Sequence, residues 1–353
     1  MAWPWTRRAK DPARDAIHPA RGGDRTARLL IGVPLYRGWD LVQETLDSIL
    51  SQTFTDYRVV ISVDGADQRS YDACLRYAED PRFELVLQPE HLGWADNVTW
   101  LARQLREDYF VYWQHDDLCD PPYLETLLDH AHRHPEAAAV YCDMMMFGDR
   151  EVRRSYDPVI GYTLERVIEQ IARNGPMPIR CLVTADAMRA ALPIDQVGPW
   201  TVAMARVGEL HRVEQPLYHR RSRPDSLSHQ MRAGGLAQAR EGALEWGVGV
   251  FRAALPAAPE ADQTRLLRYV CDQLINHRPR RNFHYDAKAA GPTGPLDFMR
   301  DFLAEVRRQT GVVPFAHLIR RGDARALLEE RLKDFEEPAV EILMIQVLLE
   351  DLD

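Results

Sequence analysis

Two adjacent carboxylates, Asp116 and Asp117, stand directly after the apolar run Val111, Tyr112 and Trp113, where a buried strand would end. Consecutive residues leaving a strand point to opposite sides, so one can ligate a cation while the other accepts a hydrogen bond from a ligand hydroxyl. Hard oxygen donors of this kind suit magnesium or manganese bridging a diphosphate. The competing structural role, capping the helix that starts near Pro122, is assigned to Asp120, which lies closer to that start. A third carboxylate, Asp64, ends another apolar run and precedes Gly65. It can be a simple turn residue, or it can accept the imide N–H of a uracil or thymine ring flanked by Tyr36 from the adjacent loop.

Such residues must be positioned by a scaffold, and from Leu29 onward short apolar runs alternate with amphipathic stretches, the signature of strand-helix-strand units. Strands are expected at 29–33, 57–63, 83–87 and 109–113, with a further apolar run around Val140, and helices at 39–51, 96–106 and 122–134. This order predicts a mostly parallel, doubly wound α/β sheet with right-handed crossovers. Ligands of open parallel sheets bind outside the carboxyl ends of the strands. Pro34 and Tyr36, Asp64 and Gly65, the segment His91 to Asn97, and Asp116 with Asp117 all fall there. One crevice can therefore collect all four loops.

The rest of the chain narrows the partners. At 353 residues with a formal net charge of -9, it is long enough for two packed units and too acidic for a general nucleic-acid binder, which needs clustered Lys and Arg. Residues 1–27 read as a flexible basic tail, rich in Arg with Pro and Gly and without apolar periodicity. Beyond Asp143 the pattern loosens into a mixed region to about Gln230, with an apolar run at 179–184 and a helix near 200–207. After Gly234 and Gly235 only helical spacing remains, at 236–255, 262–277, 296–310, 324–335 and 338–349, so 233–353 reads as an all-helical extension, open to serving as a homodimer interface or an acceptor-recognition wall. Five scattered cysteines show neither zinc-ligand nor disulfide spacing, which suits a reducing cytoplasm. No apolar stretch approaches the roughly 20 residues of a membrane span, so any membrane contact would be peripheral.

The ordered set IGVPLYRGWDLVQETLDSILSQT, VISVDGAD, PEHLGWADNVTW and YFVYWQHDDL resembles the family 2 glycosyltransferases of the GT-A fold, a Rossmann-like nucleotide-diphospho-sugar transferase architecture. The resemblance covers residues 28–147 and continues weakly through PLYHRRSRPDSLS at 216–228, giving a transferase domain at 28–232. It implies transfer of a sugar from a nucleotide diphosphate donor, a UDP-sugar, with inversion, to an acceptor hydroxyl, assisted by Mn or Mg. Pro34, Tyr36 and Asp64 match positions that hold base and ribose, Asp116 lies on the ribose and donor side, and Asp117 matches the metal-binding carboxylate. Asn97 matches an Asn of the donor-side helix, although Asp96 stands where a small residue is common.

Two departures stand out. The family's general base lies in an acidic pair ahead of a segment like WTVAMARVGEL, but here those positions hold Gln196 and Val197, leaving Asp195, one residue earlier, as the nearest carboxylate. The metal-binding His expected before the Ser-x-Ser ending is Arg223; with Arg220 and Arg221 it can instead pair with a diphosphate, while His219 and His229 remain open as ligands. These departures support an alternative reading, a nucleotide-sugar-binding pseudo-enzyme or interaction module without a competent base. A nucleotidyltransferase ranks last, because VPLYRGWD lacks a glycine-rich basic loop for a triphosphate. Of His130, His132 and His134, only the first and last share a helix face, which reads as a surface helix end rather than a metal site. Met144 to Met146 read as core or cleft lining, and Gly247 with Gly249 lacks the context of a dinucleotide loop.

Overall fold

The computed structural model describes residues 28–173, 179–223, 236–276, 293–315 and 340–350, with residues 287, 291 and 326. They belong to two units, Met1–Arg166 with Gly175–Pro224, and Val167–Asn174 with Asp225–Asp353.

The strands of the first unit are β1 (Leu29–Leu35), β2 (Tyr57–Val63), β3 (Phe83–Leu87), β4 (Tyr109–Tyr112), β5 (Leu118–Cys119), β6 (Ala137–Gly148), β7 (Val152–Arg154), β8 (Cys181–Thr184) and β9 (Glu209–Ser222). Its helices are α1 (Val42–Leu50), α2 (Gln68–Cys74), α3 (Trp94–Arg103), α4 (Tyr123–Arg133), α6 (Ala185–Ala191) and α7 (Val197–Val207), and α5 (Thr163–Arg173) carries the chain from this unit into the second. The nine strands form a single sheet in the order β3-β2-β1-β4-β8-β6-β9-β5, with β7 beside β6. The half β3-β2-β1-β4 is parallel throughout. All seven residues of β1 are buried, as expected of a strand covered on both faces. A Cβ at Gly32 would sit 2.9 Å from the Phe110 ring, so glycine is what lets β1 and β4 carry their side chains this close.

The α/β GT-A expectation holds, and the differences lie in the loosely patterned middle. There β8 runs antiparallel to both β4 and β6, and β9 runs parallel to β6. Only Leu210, Val213, Leu217 and Tyr218 of the 14-residue β9 are buried. Its remaining positions are largely charged or polar, which hides the strand from apolar patterning. Asp120 does not cap α4: Pro122 occupies the N-cap with no side-chain bond, and the Asp120 carboxylate accepts from His219 Nε2 at 2.9 Å.

In the second unit, α8 (Leu236–Ala254), α9 (Glu260–Ile275), α10 (Gly294–Thr310) and α11 (Val340–Glu350) pack against one another. A Cβ at Gly247 would lie 2.6 Å from Leu274 and 2.8 Å from Phe302, so this glycine marks close helix approach, not a ligand loop. Helix α11 buries Val340, Leu343, Met344, Ile345, Val347 and Leu348, nearly its whole circumference, as a central helix must. The tail at 1–27 and the helix expected at 324–335 lie outside the described residues, Ala326 excepted. All five cysteines are buried thiols. Among the described residues, no helix is long and apolar enough to cross a membrane.

Candidate donor-binding site

The carboxyl ends of β1, β2, β3 and β4 converge. Asp64, 2% exposed, leaves β2 with its backbone N–H bonded to Leu35 O at 2.8 Å. Its carboxylate accepts from Leu92 N at 2.6 Å, Gly93 N at 2.9 Å and His91 Nδ1 at 2.9 Å, which folds the loop after β3 onto the end of β2. Gly93, at φ 79, then starts α3. Tyr36 lies over this loop, its ring centroid 4.5 Å from that of His91, with the Arg37 guanidinium 5.0 Å from its face. Gly65, at φ 69, keeps the floor clear, since a Cβ there would be 3.3 Å from His91. The expected donor residues Pro34, Tyr36, Asp64 and Asn97 are therefore brought together. Asn97 is 2% exposed; its Nδ2 donates to Ser62 O at 3.2 Å, and its buried Oδ1 accepts no hydrogen bond among the described residues.

The β4 loop joins the same crevice through His115, whose Nδ1 lies 3.2 Å from Pro34 O. Beyond it, β5 pairs with β9 so that Cys119 faces Tyr218 and Leu118 faces His219, which sets the end of β9 against the two carboxylates. Asp117 is fully buried. Its Oδ2 accepts from Tyr218 OH at 2.7 Å and Arg180 Nε at 3.4 Å, and its Oδ1 accepts from Arg221 N at 2.9 Å. Burial first, then the neighbouring Asp116, push its carboxyl above the ordinary range, against the pull of Arg180 and these bonds. Asp116 instead lies nearer solvent, with Arg223 Nη2 at 3.5 Å from its Oδ2 and Arg221 Nε donating to its backbone oxygen at 3.1 Å. Arg221 also reaches Glu44 of α1 at 2.6 Å.

Asp117 was the expected cation ligand, and its environment argues otherwise. Both oxygens already accept from protein donors, and Arg180, Arg220, Arg221 and Arg223 crowd the pair. Arg220 is held below its ordinary value first by the like charge of Arg180 and then by burial. A divalent cation held by Asp117 does not fit this donor set, whereas guanidinium groups pressed together call for an anion. Of the other ligands left open, His219 is paired with Asp120, and His229 lies outside the described residues. Tyr218 and Arg180 were missed by sequence reading. Tyr218 sits in the PLYHRR run, but nothing local marks Arg180, whose importance comes from the register of β8 and β9.

Asp195 follows Ile194, whose N–H donates to Thr99 Oγ1 at 3.0 Å while Thr99 Oγ1 donates to Ile194 O at 3.2 Å. The chain just ahead of Asp195 is thereby tethered to α3, half a turn from Asn97. Gln196 caps α7. Further along α7, Trp200 meets Tyr112 edge-on at 5.7 Å and Trp94 at 6.4 Å, and Trp94 Nε1 donates to Tyr112 OH at 2.7 Å.

Residues 30–191 match the family model described as Glycosyl transferase family 2. A similar curated protein, Glycosyltransferase GlyA of Streptococcus pneumoniae serotype 4, is 25% identical over 100 residues, which are 28% of this chain and 14% of that protein. An uncharacterized glycosyltransferase of Rickettsia typhi is 25% identical over 93 residues, 26% of this chain and 28% of that protein. The matched part thus spans less than a third of these relatives. Among solved structures, S. aureus TarS 1–349 in complex with UDP-GlcNAc is 14% identical, with 88% of this chain and 93% of that chain covered at a TM-score of 0.61, a likeness of fold.

Proposed function

The chain belongs to the family 2 glycosyltransferases through residues 30–191, and we propose that it moves a sugar from a nucleotide diphosphate donor to an acceptor hydroxyl with inversion. The observation that carries this reading is the convergence of Tyr36, Asp64, Asn97 and Asp116 at the carboxyl ends of the parallel strands, beside a cluster of arginines. A UDP-sugar suits Asp64 and Tyr36 as base contacts, and the similar TarS is seen with UDP-GlcNAc. Asn97 Oδ1 offers the donor a buried acceptor.

Family 2 glycosyltransferases commonly use a divalent cation against the diphosphate charge. Here we assign that role to Arg220, Arg221 and Arg223, with Asp116 facing the ribose and Asp117 holding the end of β9 in place. The acceptor hydroxyl attacks the anomeric carbon from the side opposite the leaving group, the C–O bond to the diphosphate breaks, and Asp195 takes the hydroxyl proton. Residues 28–232 act as the transferase domain, and the helices of 233–353 serve acceptor recognition or pairing with a second copy.

Thermal-shift measurements with nucleotide sugars test this directly, because a ligand that binds only the native state raises the melting temperature. UDP-sugars are expected to raise it equally with manganese and with EDTA, and transfer to persist in EDTA. Binding or transfer that requires manganese would overturn the arginine assignment. Binding without transfer across a broad acceptor panel would favour the binding-module reading.

A further inference from the structure

Three imidazoles meet at the end of the sheet opposite the donor crevice, where β6 and β9 begin. His130, on the last turn of α4, and His134, its C-cap, lie four residues apart and stack with ring centroids 4.4 Å apart. His211, on β9, has its centroid 5.3 Å from that of His130 and 4.9 Å from that of His134. Sequence spacing suggested only a surface helix end; the third ring comes from a strand more than seventy residues later. His132 points elsewhere, toward Tyr109.

Two carboxylates set the protons on these rings. His211 Nε2 donates to Glu209 Oε2 at 2.8 Å, which leaves Nδ1 with its lone pair, and that nitrogen lies 3.0 Å from His130 Nε2. His134 Nδ1 lies 3.1 Å from Glu136 Oε1, and the tautomer that donates to this carboxylate presents Nε2 as the ligating nitrogen. The ligating atoms of the three histidines all lie within 4.8 Å of one another. Two nitrogens bound tetrahedrally at about 2.0–2.1 Å from zinc sit about 3.3 Å apart, close to the His130–His211 separation. A carboxylate on the second nitrogen of a ligating imidazole is the usual means of fixing ring and tautomer at a zinc site.

We propose that His130, His134 and His211 bind a zinc ion that clamps the end of α4 to the start of β9, with Glu209 and Glu136 orienting two of the rings and water or a carboxylate completing the shell. His211 pairs with Val140 and Arg221 with Phe147, seven residues apart on β6 or about 23 Å of strand, so this ion takes no part in sugar transfer.

The test is titration of the full chain, stripped with EDTA and dialysed, with Zn2+ alone against a competing chromophoric chelator. One equivalent is expected to bind and to raise the melting temperature. His211→Ala should lose that equivalent, Glu209→Gln should weaken it about 10–100-fold, and Asp116→Ala should keep it. Co2+ added to the stripped wild type should develop the visible absorption of a tetrahedral nitrogen-ligated ion, a readout independent of whether any variant folds. Wild type that binds no stoichiometric metal, or His130→Ala and His211→Ala proteins that bind it unchanged, would show a hydrogen-bonded histidine cluster instead and overturn the proposal.

Discussion

Asp116 and Asp117 are neighbours in sequence and opposites in environment. Asp117 is enclosed by Tyr218, Arg180 and the backbone of Arg221, so truncating it strands a buried guanidinium and a buried hydroxyl. Asp117→Ala is therefore expected to cost about 3 kcal/mol or more in denaturant unfolding. Asp116 pairs only loosely with Arg223, and Asp116→Ala should change stability by no more than about 1 kcal/mol while abolishing nucleotide-sugar binding in the thermal-shift assay. The reverse pattern, a stable Asp117→Ala protein that has lost only donor binding, would restore Asp117 as the ligand-facing carboxylate. That two residues of the same type divide in this way was legible only as an expectation that their side chains point apart. Which one points inward depends on β9, the strand the charged sequence concealed.

At the scale of elements, the β6–β7–β9 ladder is held from within by Asp143. Its carboxylate is buried and accepts from Arg212 Nε at 2.7 Å and from Arg153 Nη2 at 2.6 Å. Burial alone would raise its carboxyl, but the bonds from Arg212 and Arg153 outweigh this and bring it below the ordinary value. A depressed carboxylate stabilises the fold above the value it has in the unfolded chain, and that contribution disappears as pH falls through the native value. Wild type should therefore exceed Asp143→Asn in unfolding free energy at pH 7, and the gap should close on acidification below the ordinary carboxylate range. A gap that stays constant to low pH would show that packing, not charge, is what Asp143 supplies.

At the scale of the molecule, a chain of net charge -9 gathers Arg180, Arg220, Arg221 and Arg223 beside Asp116 and Asp117, and the proposed diphosphate binding rests on that one local cluster. Affinity for UDP should consequently fall as salt is raised through the range in which exposed charges are screened, while affinity for uridine stays nearly constant; equal salt dependence for the two would remove the arginines from diphosphate binding. The sequence by itself determined the parallel half of the sheet, the helical end and the crevice with Pro34, Tyr36, Asp64, Asn97 and Asp116, because each rests on local periodicity and on loops that one topology must bring together. Tertiary structure alone decided that Asp117 is buried against Tyr218, Arg180 and the backbone of Arg221, and that His211 joins His130 and His134. Those relations are set by the register of β9 against β5 and β6, across separations of roughly 60–100 residues that carry no local pattern.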